Sequence, residues 1–147
     1  MWMKILMSPT AWALDRFWIR WFGISPLSKA FARASGIEDK GRYLLLVARG
    51  RKTGKKRATA LSYFEIDGRM FVVGSKGGAP ADPHWVTNLR AKPDATIYVD
   101  RRPRQVTARI AAGAERADLW NKLIATVPTY AGFQQGLARE IPLVILE

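Results

Sequence analysis

The chain has 147 residues, 48% of them apolar, which is enough for one domain with a core of its own. It has no cysteine and a single histidine, His84, which excludes disulfide scaffolds, thiolate metal centres and cysteine nucleophiles and leaves histidine-based triads and metal sites poorly supplied. Lysine and arginine number 24 against 12 aspartate and glutamate, and the resulting net charge of +12 points to a negative partner: nucleic acid, an anionic membrane surface or a small polyanion.

Two regions differ in composition. Residues 1–40 are aromatic and basic with helical periodicity, whereas 41–147 carry short apolar runs divided by turn signals, so a boundary is expected near Gly36–Gly41. No stretch reaches the ~18 uncharged apolar residues of a membrane-spanning helix. The short apolar start runs into Asp15, Arg16 and three tryptophans, with no small-residue cleavage region, which favours a cytoplasmic chain.

At about 100° per residue, Leu14, Phe17, Trp18, Trp21 and Phe22 gather on one side of a helix, and Asp15, Arg16 and Arg20 on the other. Such a helix either packs on a core or lies in a membrane interface, with Lys4, Arg16, Arg20, Lys29 and Arg33 facing anionic lipid. Trp12 and Ile19, which intrude on the polar side, favour the second reading.

Beyond it, Tyr43–Arg49 reads as a buried strand and Ala58–Ile66 as a second. Asp67-Gly68 signals a two-residue hairpin into a third strand, Met70–Gly74. Asp82 and Pro83 mark the start of a helix reaching Ala91, with aspartate as its cap. A hairpin of 95–99 and 105–111 turns over Asp100–Pro103; a helix over 115–127 is interrupted by Pro128; and 141–146 is a last strand. Hairpin-linked strands with few helices predict an antiparallel barrel or an α+β sheet.

Three motifs could carry chemistry. In the turn from Gly50 to Arg57, five of eight residues are basic; Arg51, Lys52, Lys56 and Arg57 could surround a phosphate or carboxylate, or merely form a solvated hairpin tip. The turn lacks the spacing of a P-loop. The second motif is Gly74-Ser75-Lys76-Gly77-Gly78, which leads to the helix bearing Trp85 and Asn88 and offers unobstructed N–H groups, a hydroxyl and a cation to an anionic or carbonyl-rich ring system. In the third, Tyr130 and Phe133 lie three residues apart and would share one side of a helical turn, either as core or as the cover of a flat ligand.

In this order, Gly50-Arg51-Lys52-Thr53-Gly54, Ser75-Lys76-Gly77-Gly78, Pro83, Trp85, Asn88-Leu89, Pro93, Tyr130 and Arg139 with Ile141-Pro142 resemble the deazaflavin-dependent nitroreductase family over about residues 41–147. The resemblance implies a split β-barrel, an α+β fold related to FMN-binding proteins, with flanking helices. It implies a reductase that transfers hydride from reduced coenzyme F-420 to a quinone, a nitroaromatic or an activated double bond. It places Arg51, Lys52, Lys56 and Arg57 on the cofactor's phosphodiester and glutamate tail, and Ser75, Lys76, Gly77 and Gly78 on the deazaflavin and its neighbouring chain. Trp85 and Asn88 complete that side. Tyr130 and Phe133 line the substrate pocket, with Tyr130 or Ser75 as proton donor; Phe133 stands where some members carry tyrosine. The aromatic N-terminal helix then suits a lipid-soluble acceptor such as menaquinone, at the inner face of the membrane, in a monomer or a dimer. The competing expectations are a nucleic-acid-binding domain, prompted by the charge, and the same fold using FMN or haem.

Overall fold

The computed structural model describes residues 9–22, 26 and 42–147. The boundary expected near 36–41 lies outside these residues, as do Lys4, Lys29 and Arg33. Along the chain come α1 (Pro9–Phe22), β1 (Tyr43–Arg49), β2 (Lys56–Ile66), β3 (Arg69–Val73), a 3-10 turn (Lys76–Gly78), α2 (His84–Ala91), β4 (Asp94–Val99), β5 (Arg102–Ile110), α3 (Gly113–Thr126), α4 (Thr129–Gln135) and β6 (Leu143–Leu146). The strands close into an antiparallel barrel in the order β1-β2-β3-β6-β5-β4, with β4 returning to pair with β1.

Alternation within the strands decides what fills the barrel and what lies outside it. Leu44, Leu46 and Ala48 of β1 join Val72, Ile97, Val106, Val144 and Leu146 in one apolar cluster, and Trp85, Val86 and Leu89 of α2 belong to the same cluster. Phe71, Leu143 and Ile145 belong to a second cluster with Leu119, Leu123 and Val127 from α3 and its end, and with Tyr130 of α4. Outward-facing Leu45 pairs across strands with Ala60, and both are buried beside Val47, Ala58 and Tyr98. β1 is therefore covered on both faces, which explains its unbroken apolar run.

The hairpins follow their turn chemistry. Asp67 and Gly68 both have positive φ, 53° and 74°, the geometry that matches strand twist. Asp100 and Arg101 repeat it at 50° and 67°, so that turn is two residues long and not the four expected from Asp100–Pro103. Pro103 instead pairs with Tyr98 inside β5. It is tolerated because β6 pairs with β5 only at Ala108–Ile110, leaving the flank of Pro103 without a ladder partner to lose.

A second correction concerns the start of α2. Pro83, not Asp82, occupies the cap position, and no side chain caps the helix. The Asp82 carboxylate is engaged elsewhere, by Arg90 and Arg139.

α1 lies against β1 and β2. Its Asp15 is 2% exposed, whereas Leu14 and Phe17, two members of the expected apolar face, are 62% and 51% exposed and point away from the barrel. The side chains of Trp12, Trp18, Ile19, Arg20, Trp21 and Phe22 lie outside the described set.

Candidate active site

The basic turn joins β1 to β2. Gly50 and Lys55 close it through a 2.8 Å bond from Gly50 N–H to the Lys55 carbonyl, and Gly54, at φ +69°, donates to the Gly50 carbonyl, also at 2.8 Å. Only a residue at home in the left-handed region keeps this turn unstrained at position 54. Arg51, Lys52, Lys55, Lys56 and Arg57 are all exposed. A Cβ placed on Gly54 would stand 3.6 Å from Lys92 Nζ, so a lysine from the end of α2 reaches the same turn.

Several cations elsewhere on the barrel are neutralised by ion pairs. Arg69 and Lys122 share Asp67 and Asp118, and Arg109 bridges Glu115 and Glu147. Among the described residues, Arg51, Lys52, Lys55, Lys56, Arg57 and Lys92 enter no such ion pair. The turn therefore holds concentrated positive charge with no counter-charge among the described residues, which suits an anionic ligand.

Asn88 ties the turn to α2. Its Oδ1 accepts from the Arg51 backbone N–H at 3.1 Å and from Arg51 Nη1 at 3.0 Å. Asn88 is buried, so this carbonyl holds the turn in place.

The second segment follows β3. Lys76, Gly77 and Gly78 have φ of 46°, 62° and 83°, three successive left-handed residues, and the loop closes by a 2.9 Å bond from Gly78 N–H to the Ser75 carbonyl. Lys76 is the only one of the three with a side chain, and that conformation costs it roughly 1–2 kcal/mol. Ser75 is buried; Lys76 and Gly77 are exposed. Around this loop the guanidinium of Arg139 makes four bonds: Nε to the Ala79 carbonyl at 3.0 Å, Nη1 to the Gly74 carbonyl at 3.1 Å and to Asp82 Oδ1 at 2.9 Å, and Nη2 to the Ser75 carbonyl at 3.0 Å.

Phe133 packs on this loop, because a Cβ on Gly78 would come within 3.2 Å of its ring. Tyr130 meets Phe133 edge-on at 6.3 Å between centroids and Phe64 edge-on at 6.1 Å. Burial pushes the Tyr130 phenol up to about 12, so it stays protonated at any ordinary pH. Trp85 is buried in the barrel cluster. Of the residues singled out in the sequence, the structure thus joins Arg51 to Asn88 and Gly78 to Phe133 and Tyr130, while Trp85 faces the core. The sequence reading missed Lys92, Asp82 as an ion partner, and the bonds of Arg139, all of which depend on contacts between distant parts of the chain.

The profile of the family described as F420H(2)-dependent quinone reductase matches residues 30–147. The chain belongs to that family. One relative, the F420H(2)-dependent quinone reductase Rv1261c of Mycobacterium tuberculosis, is 36% identical over 106 residues, 70% of this chain and 71% of its own. Among solved structures, an F420-H2 dependent reductase designated FDR-A superposes with a TM-score of 0.63 at 35% identity, covering 71% of this chain and 93% of its own. A chain described as a domain-swapped dimer superposes at 0.64 with 35% identity, covering 71% and 79% respectively. As a family member the chain is an oxidoreductase that uses coenzyme F-420, and the fold expectation of a split barrel holds. Its residues fit that cofactor: exposed cations at residues 50–57, unpaired among the described residues, suit a phosphodiester and glutamate tail, and the left-handed Lys76–Gly78 backbone offers a side-chain-poor approach.

Proposed function

We propose that Arg51, Lys52, Lys56 and Arg57 hold the phosphodiester and glutamate tail of coenzyme F-420, and that Ser75, Lys76, Gly77 and Gly78 hold its ring system and neighbouring chain. Asn88 acts through Arg51, and Trp85 backs the helix that carries Asn88. When bound in its reduced form, the coenzyme supplies the hydride that a quinone such as menaquinone accepts. Tyr130 and Phe133 line the substrate side, and a hydroxyl of Tyr130 or Ser75 delivers the proton. The chain's own contribution is orientation, charge neutralisation and proton supply.

The observation that carries this reading is the anchoring of both segments on α2. Asp82, just before the helix, ties the loop through Arg139, and Asn88 ties the basic turn. Asp82 lies two residues before the helix start at His84, and Asn88 is about one turn into the helix, so the same stretch of chain carries both anchors. The reading is tested by mixing reduced F-420 with menadione under anaerobic conditions and following the coenzyme's absorbance. Enzyme-dependent oxidation is expected, with a KM for F-420 that rises about tenfold or more in a K52A/K56A/R57A variant. An unchanged KM would remove the turn from the site.

We further propose that residues 1–40 attach the 41–147 domain to the inner face of the cytoplasmic membrane. What supports this is α1, where Asp15 is buried while Leu14 and Phe17 are apolar side chains directed to the surroundings. Sedimentation with phosphatidylglycerol vesicles is the test: binding should fall in L14E/F17E and in a chain lacking residues 1–35. Retained binding in both would make the helix structural. Between monomer and dimer, the relative described as a domain-swapped dimer supports the dimer.

A further inference from the structure

We infer that Arg139 is the positioning residue of the Gly74–Asp82 loop, turning the Gly74 and Ser75 carbonyl oxygens inward so that the Ser75 and Lys76 N–H groups face the ligand. The inference rests on the assignment of that loop to the cofactor. In a trans peptide the C=O of one residue and the N–H of the next point in opposite directions. Because the Gly74 and Ser75 carbonyls accept from Arg139, the Ser75 and Lys76 N–H groups are directed to the other side of the same peptide planes. The left-handed backbone of Lys76, Gly77 and Gly78 then closes the loop, with the Gly78 and Ala79 N–H groups donating to the Ser75 and Lys76 carbonyls.

Four features make the guanidinium suited to this task. Its planar fork reaches the carbonyls of Gly74, Ser75 and Ala79 together, which a tetrahedral ammonium does not match. Its Nη1 pairs with Asp82, a carboxylate that Arg90 shares, so the acid fixes the guanidinium beside the loop and offsets part of its charge. Its own backbone is held by Gln134 of α4: Nε2 donates to the Arg139 carbonyl and Oε1 accepts from Ile141 N–H, both at 2.8 Å. Finally, Gly74 N–H donates to the Pro142 carbonyl at 2.9 Å, joining the loop to the same segment from the other end. The left-handed Lys76 is unfavourable by itself, so without the fork the loop relaxes and its donors disperse.

Amide hydrogen exchange on the protein without cofactor reads the clamp directly, and fluorescence titration with F-420 reads its consequence. In R139Q, exchange over residues 75–79 should accelerate about tenfold while the β-strands keep their protection. The Kd for F-420 should rise about tenfold, with kcat at saturating coenzyme changed less than about threefold. R139K, which keeps the charge and loses the fork, should resemble R139Q and not the parent. Unchanged exchange in folded R139Q, fast exchange with unchanged Kd, or full rescue by R139K would each overturn the inference. If neither Arg139 variant folds, Q134A replaces them: faster exchange over 75–79 supports the clamp, and unchanged exchange overturns it. Failure of the parent protein to bind F-420 would refute the cofactor assignment, and with it the ligand side of the inference, while the exchange comparison still decides whether Arg139 orders the loop.

Discussion

Arg51 meets Asn88 twice at one atom: its backbone N–H and its Nη1 both donate to the buried Oδ1. The contact orders the turn and aims its first cation in one step. Removing it separates stability from binding. N88A leaves the Arg51 donors without their acceptor and should cost about 1–3 kcal/mol in urea unfolding, with the F-420 Kd raised roughly tenfold. N88D still accepts from Arg51 but cancels its charge, so it should retain more stability than N88A and bind F-420 no better. Equal affinity of N88D and the parent would show that the charge of Arg51 is not used.

Gly78 combines a positive φ with proximity to Phe133. G78A should lose roughly 1–2 kcal/mol from the left-handed conformation alone, and more from the 3.2 Å approach to the ring. Adding F133A relieves the approach and not the backbone strain, so the double variant should recover only part of the loss, relative to F133A, in thermal unfolding. Complete recovery would mean that the backbone tolerates alanine there.

The ion network beside α3 makes an acid-stability prediction. The Asp118 carboxyl is held below its ordinary 3.8 by bonds from Arg69 first and Lys122 second. A depressed native pKa gives stability that is fully present above the unfolded value and lost as pH falls through the native one. The parent should therefore exceed D118N in Tm at neutral pH, with the two curves converging below about pH 4. Asp118 and Lys122 are exposed and Arg69 is half-buried, so the gap is small and shrinks with salt. Parallel curves down to pH 2 would contradict the assignment.

Tyr130 tests the proton path. With its phenol pushed up to about 12, it should contribute no alkaline limb to activity across ordinary assay pH. Y130F should lower kcat by about 100-fold, the low end for a positioned acid, with a smaller change in KM. An unchanged kcat would transfer the role to Ser75 or solvent, and S75A would then carry the loss.

Much of the fold was legible because it is written in local chemistry. The run over residues 43–48 is apolar throughout because both faces of β1 are covered, and Asp67-Gly68 forms the two-residue turn its residues favour. Local signals failed where a distant residue competed. Asp82 has the chemistry of a helix cap, yet its carboxylate binds Arg139, 57 positions later, and Arg90. Pro103 suggested a longer turn because the missing partner beside β5 is a property of the closed barrel and not of its neighbours in sequence. The site divides in the same way. The clusters of Lys52, Lys56 and Arg57 and of Ser75–Gly78 stand out as strings of residues, whereas the bond of Asn88 to Arg51 and the grip of Arg139 on the loop join positions 37 and 57–65 apart.

In the proposed site the charge at residues 50–57, which no described residue neutralises, serves an anionic deazaflavin. The most direct test of this assignment is an equilibrium titration of the purified protein with F-420, FMN and a DNA oligomer, each at low and high salt. F-420 should bind most tightly, weaken as salt rises, and lose about tenfold or more in affinity in K52A/K56A/R57A. Tight binding of FMN or DNA with none of F-420 would contradict the account.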